Sequence, residues 1–113
     1  MDSRIPAHLE VTGLIRAVQA AGGFATVLAK GERDAGTLLI VCCESGANCV
    51  AWERMPQADG SRGWAVARRQ DPQDPAEFTQ YHTRRSRQDD DLWVLELDIA
   101  NAERFIAALG TLG

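Results

Sequence analysis

Lysine, tyrosine and histidine are nearly missing from this chain: 113 residues hold one lysine, Lys30, one tyrosine, Tyr81, and two histidines, His8 and His82. Three cysteines are present, but none stands in a Cys-x-x-Cys pair or beside a ligand histidine, so the pattern of a structural zinc site is absent. A cysteine nucleophile would need a base, and only those two histidines could supply it. No catalytic residue and no cofactor are assigned on these grounds. Long apolar runs are missing as well. The longest is Leu38-Leu39-Ile40-Val41-Cys42-Cys43, six residues, where a membrane-spanning helix needs about 20. Met1-Asp2-Ser3-Arg4 leads into no apolar signal region, so a cytoplasmic location with no membrane partner is expected.

What is present describes a globular domain. The chain is 45% hydrophobic and 25% charged, ordinary for a soluble fold. Its length suits one compact domain over residues 1–113, able to remove roughly two thirds of its unfolded surface from water. In a strand, side chains alternate between faces, so the unbroken run Leu38 to Cys43 predicts a central strand covered on both sides. The formal net charge is -4 and unevenly spread. Between Arg62 and Gln88 six arginines face three acids, whereas from Asp89 onward six acids face only Arg104. That polarity can make a basic patch on an acidic protein.

Apolar residues Val11, Leu14, Ile15, Val18 and Ala21 fall at helical spacing and predict a helix from about Leu9 to Ala21, closed by Gly22-Gly23. Gly13 inside that span leaves open a short extended segment at His8 to Val11, with the helix starting at Thr12. Strands are predicted at Phe24 to Lys30, Thr37 to Glu44, Asn48 to Met55 and Trp64 to Arg69. Their short connections favour antiparallel neighbours, and the closing arginines of the fourth strand suit an exposed edge. Asp74-Pro75-Ala76-Glu77 reads as a capping box with proline in the first turn, opening a helix from Pro75 to Gln88 whose apolar seam is chiefly Phe78 and Tyr81. A strand from Leu92 to Asp98 and a helix from Asn101 to Leu109 follow. The resulting fold class is α/β in composition with an α+β order, α-β-β-β-β-α-β-α. It predicts a mixed, mostly antiparallel five-stranded sheet with helices on both faces.

Cys43 stands opposite Cys49 if Glu44 pairs with Asn48, and a one-residue shift puts Cys42 there instead; reduced, buried cysteines acting as small hydrophobes are expected. Tyr81, Arg84, Arg85 and Arg87 combine a ring with guanidiniums on one helix and form the candidate binding set for an acidic protein or nucleic acid. Glu96 and Asp98 share a strand face near Asp89, Asp90 and Asp91, and form the alternative candidate for a divalent metal. His82 reads as a solvated helix residue.

The segments Ala20-Ala21-Gly22-Gly23-Phe24-Ala25-Thr26-Val27-Leu28, Asp34-Ala35-Gly36 and Asp91-Leu92-Trp93-Val94-Leu95-Glu96-Leu97 together resemble the small bacterial proteins grouped as domain of unknown function 1491. The resemblance covers nearly the whole chain and implies a compact intracellular bacterial domain; it brings no activity or catalytic set with it. The preferred reading is a non-enzymatic binding or adaptor domain, self-associating as a homodimer or other homo-oligomer through a sheet edge or an apolar patch containing a tryptophan. The rival is a degenerate metal-dependent nuclease, or a nucleic-acid-binding protein. The order of elements is similar to the core of restriction-endonuclease-like nucleases. The acid followed two positions later by lysine that marks those enzymes is absent, since Glu53 is followed by Arg54 and Met55.

Overall fold

The computed structural model describes residues 5–56, 58–60 and 62–112. The elements run α1 (Ala7–Ala20), β1 (Phe24–Ala29), β2 (Leu38–Glu44), β3 (Ala47–Pro56), β4 (Arg62–Arg69), α2 (Pro75–Gln88), β5 (Trp93–Asp98) and α3 (Ala102–Leu112). They form one five-stranded sheet in the order β1-β5-β2-β3-β4. β2 and β5 are parallel and the other neighbouring pairs are antiparallel. The excursion through β3, β4 and α2 supplies the crossover that a parallel pair requires.

The apolar run of β2 lies in the middle of the sheet, and its residues from Leu38 to Cys43 are all buried. Alternation sends them into two separate cores. On one face Leu38, Ile40 and Cys42 join Trp93, Leu95 and Leu97 of β5 beneath α1 and α3, through Val11, Leu14, Val18 and Ile106. On the other, Leu39, Val41 and Cys43 join Ala51 and Val94 beneath Phe78 and Tyr81 of α2. Helices therefore cover both faces, two on one and one on the other.

Several expectations are corrected. β1 and β2 are not neighbours, because β5 lies between them. The segment from Lys30 to Thr37 is long enough to step over one strand, a gap of roughly 10 Å, so a short connection did not force pairing. α1 begins at Ala7, before Leu9, and the extended alternative is not formed. Its first amides are tied down: Ala7 N donates to Asp34 O at 3.0 Å and His8 N to Arg33 O at 2.9 Å. Gly13 is accommodated on the exposed side of the helix. α2 spans Pro75–Gln88 as predicted, but Asp74 makes no side-chain cap. Glu77 pairs instead with Arg68 on β4, a full charge that outcompetes a backbone amide.

The expectation of free thiols is also overturned for two of the three cysteines. Glu44 pairs with Ala47 across a two-residue turn at Ser45 and Gly46, both at positive φ. A bulge at Asn48 then restores the Cys42–Val50 register. Cys43 thus comes to face Cys49, with Cα atoms 4.2 Å apart, and the two form a disulfide. Cys42 stays free and buried, and desolvation pushes its thiol up to about 12, which leaves it unreactive. No helix is long and apolar enough to cross a membrane among the described residues.

Candidate functional site

β3 carries Glu53 and Arg54 side by side, and strand alternation aims them at opposite layers. Arg54 turns to the α1 face, where its Nη2 lies 2.6 Å from Glu10 Oε1 and its guanidinium sits 4.7 Å over the Trp64 ring. Glu53 turns to the α2 face, where its Oε2 accepts a 2.8 Å hydrogen bond from Arg85. These two pairs fasten a helix to each side of the sheet. They were missed in the sequence, although opposite charges at the end of an otherwise apolar strand were the available signal.

This arrangement divides the four predicted binding residues. Tyr81 is 7% exposed, so it is not free to stack on a base. The Arg68 guanidinium lies 4.4 Å over its ring, and Arg85 Nη1 donates to its hydroxyl at 2.9 Å. Arg85 is equally committed. Burial alone lowers its pKa, but the hydrogen bond and charge of Glu53, followed by those of Tyr81, outweigh burial and raise it. Arg84 and Arg87 behave differently. Both are exposed, one helical turn apart, and neither makes an ion pair among the described residues. They line a shallow groove of about 850 Å³ on the outside of α2, together with Ala76, Thr79, Gln80, Thr83 and Gln88. Arg85, the third arginine of the set, points to Glu53 instead.

The alternative metal pair is not assembled into a larger site. Asp98 Oδ1 accepts the Ser45 amide at 2.9 Å. Burial lowers the His82 pKa, and the charge of Glu96, which favours the protonated ring, offsets that in part. His82 is thus half-buried, its ring edge-on to Phe78 at a centroid distance of 5.9 Å, and not the solvated residue expected. Asp89, Asp90 and Asp91 precede β5, at the opposite end of the strand from Asp98, roughly 20 Å away. No group of three or more His, Cys, Asp or Glu side chains converges on a metal position among the described residues.

The tryptophans form no exposed patch. Trp93 is buried, and Trp52 and Trp64 pack against the core beneath α1 and α3. The exposed large apolar side chains are others, notably Phe24, Val27 and Leu28 on β1. Among the described residues, two further cavities stand out. One, of about 510 Å³, is lined by Glu10, Asp34, Glu53 and Arg54 at the start of α1. The other, of about 440 Å³, lies between the sheet and the start of α3, lined by Trp52, Arg69, Asn48 and Asn101.

A three-layer α/β domain with one parallel strand pair and a cationic helix face is the class so defined. Its sequence matches the family described as Protein of unknown function (DUF1491) over residues 5–107, and the chain belongs to that family. It is similar to a DUF1491 family protein from Caulobacter crescentus CB15 seen in a crystal structure, with 28% identity, a TM-score of 0.75 and coverage of 84% of this chain and 88% of that one. An NMR structure of a DUF1491 family protein from the same organism gives 27% identity, a TM-score of 0.72 and coverage of 90% and 92%. A solution structure of a protein from A. tumefaciens gives 27%, 0.66 and coverage of 87% and 88%. The chain matches none of the curated proteins compared with it.

Proposed function

We propose that this chain is a non-enzymatic binding domain of the bacterial cytoplasm that docks a short acidic segment of another protein on the outer face of α2. One observation carries the reading. Arg54, Arg68, Arg69 and Arg85 each pair with a carboxylate, while Arg84 and Arg87 face solvent one turn apart with no such partner among the described residues. Thr79, Gln80, Thr83 and Gln88 line the groove beside them with neutral hydrogen-bonding groups. A nucleic acid fits this face less well. Tyr81 is buried, so the face offers no ring on which a base could stack. Self-association through a sheet edge belongs to the same reading.

An oligoglutamate peptide and single- and double-stranded oligonucleotides, titrated against the full chain by calorimetry, test the docking. The peptide is expected to bind at low salt, to weaken as salt is added, and to be lost in the double variant Arg84→Gln/Arg87→Gln. Absence of peptide binding at low salt, binding unchanged in the double variant, or tighter binding of the oligonucleotides overturns the reading.

A further inference from the structure

We infer that two copies of this chain pair antiparallel through β1, about a two-fold axis at Thr26, to make one continuous ten-stranded sheet. The two edges of the sheet are unlike each other. β4 carries Arg68 and Arg69, and Arg69 reaches Glu103 of α3 at 3.6 Å. Charge of this kind is how an edge is kept from pairing. β1 reads Phe-Ala-Thr-Val-Leu-Ala, with no charge and no proline, and it pairs only with β5. Its outward amides and carbonyls have no partner among the described residues. The same strand exposes Phe24 at 76%, Leu28 at 43% and Val27 at 41%. An unguarded backbone edge and a concentration of bare apolar side chains therefore coincide on one strand.

The chemistry of β1 selects a second β1 as its partner. The strand is neutral, so a copy of itself meets no like charge, and apolar groups project on both of its faces. Phe24 and Thr26 sit on the α2 side, opposite Asp98 and Glu96, while Ala25 and Val27 sit on the α1 side, opposite Leu97 and Leu95. In a continuous sheet directly opposed residues share a face, so the two-fold must pass through a residue and not between two. An axis at Thr26 sets threonine against threonine and Ala25 against Val27 of the second copy, and it brings Phe24 beside the other copy's Leu28. An axis at Ala25 would instead set Val27 against Gly23 and leave Leu28 bare. The bulge between Val27 and Ala29 ends the regular ladder at the point where this pairing ends.

The inference deepens the self-association in the proposed reading and does not involve α2, so each can fail without the other. Sedimentation or light scattering of the full chain across micromolar concentrations is expected to give the mass of a dimer. Thr26→Lys places two ammonium groups face to face at the axis and shifts the protein to monomer; each new lysine also lies opposite Glu96 in its own sheet, so the fold is retained, as a thermal melt checks. Val66→Lys on the opposite edge leaves the dimer intact, as does the double variant of Arg84 and Arg87. Hydrogen exchange of the wild-type chain gives a reading free of variants: protection of the outward β1 amides rises with protein concentration. A monomeric wild type, a Thr26→Lys protein that stays dimeric, a Val66→Lys protein that dissociates, or β1 exchange independent of concentration overturns the inference.

Discussion

Trp93 Nε1 donates a 2.7 Å hydrogen bond to the backbone carbonyl of Glu32, joining positions 61 residues apart. Glu32 N returns a bond to Asp91 O at 3.1 Å. A Cβ on Gly36 would lie 2.5 Å from both Asp91 O and Glu32 O. The Asp34-Ala35-Gly36 and Asp91-Leu92-Trp93 segments, two of those by which the chain resembles its family, are thus two sides of one closure. That closure seats the β1–β2 loop over the start of β5. Their distinctive composition reports how the fold is latched.

Trp93→Phe leaves the Glu32 carbonyl without its donor and is expected to destabilise the fold by about 1–3 kcal/mol in denaturant unfolding. Gly36→Ala should cost more, since the two nearest atoms its Cβ meets are backbone oxygens that do not yield. A Gly36→Ala protein as stable as its parent contradicts this account of the loop.

Glu53 and Arg85 are each about one-third exposed or less, at 28% and 31%. Their coupling should therefore exceed that of a fully exposed pair and reach about 1 kcal/mol in a double-mutant cycle of Glu53→Gln and Arg85→Gln. Arg84→Gln, made in the same background, should show no coupling to Glu53.

The disulfide predicts that the purified chain, measured by mass spectrometry without reductant, is lighter than its reduced form by two hydrogens. Peptide mapping should place the bridge at Cys43 and Cys49. Cys42 should resist alkylation until the protein is unfolded, because its thiol is buried and stays protonated.

Among the described residues, two groups with lowered pKa contribute to the response to acid. Burial lowers the His82 pKa below its ordinary 6.5, partly offset by Glu96. The Ala35 and Asp34 amides lower the Glu32 pKa below its ordinary 4.5. A group whose pKa is depressed by folding contributes stability that is complete above its unfolded value and lost as the pH falls through its folded one. Stability should thus decline first below 6.5, through His82, and again below 4.5, through Glu32. His82→Gln should flatten the upper decline, and Glu32→Gln should reduce the lower one, in melts recorded across pH.

Where the chemistry is local, the residues were readable in order. Leu38 to Cys43 marked a central strand because burying both faces of a strand requires an unbroken apolar run. Pro75 set the start of α2 because its ring fits a first helical turn. Arg84, Arg85 and Arg87 were readable as a cationic cluster on one helix, but their spacing did not say which of them would meet a carboxylate.

By itself, then, the order of residues determined the eight elements, their sequence along the chain, and the two-sided burial of β2, since propensity and alternation act over a few neighbouring residues. Tertiary structure alone decided that β5 inserts between β1 and β2 and that Arg85 turns inward to Glu53 while Arg84 and Arg87 make no ion pair among the described residues. It also decided that Cys43 meets Cys49 and that β1 is left as the unguarded edge. Each of these depends on which distant groups are brought together. An arginine on a helix has the same local sequence whether it meets a carboxylate on a neighbouring strand or water, and only the packing of α2 on β3 distinguishes the two.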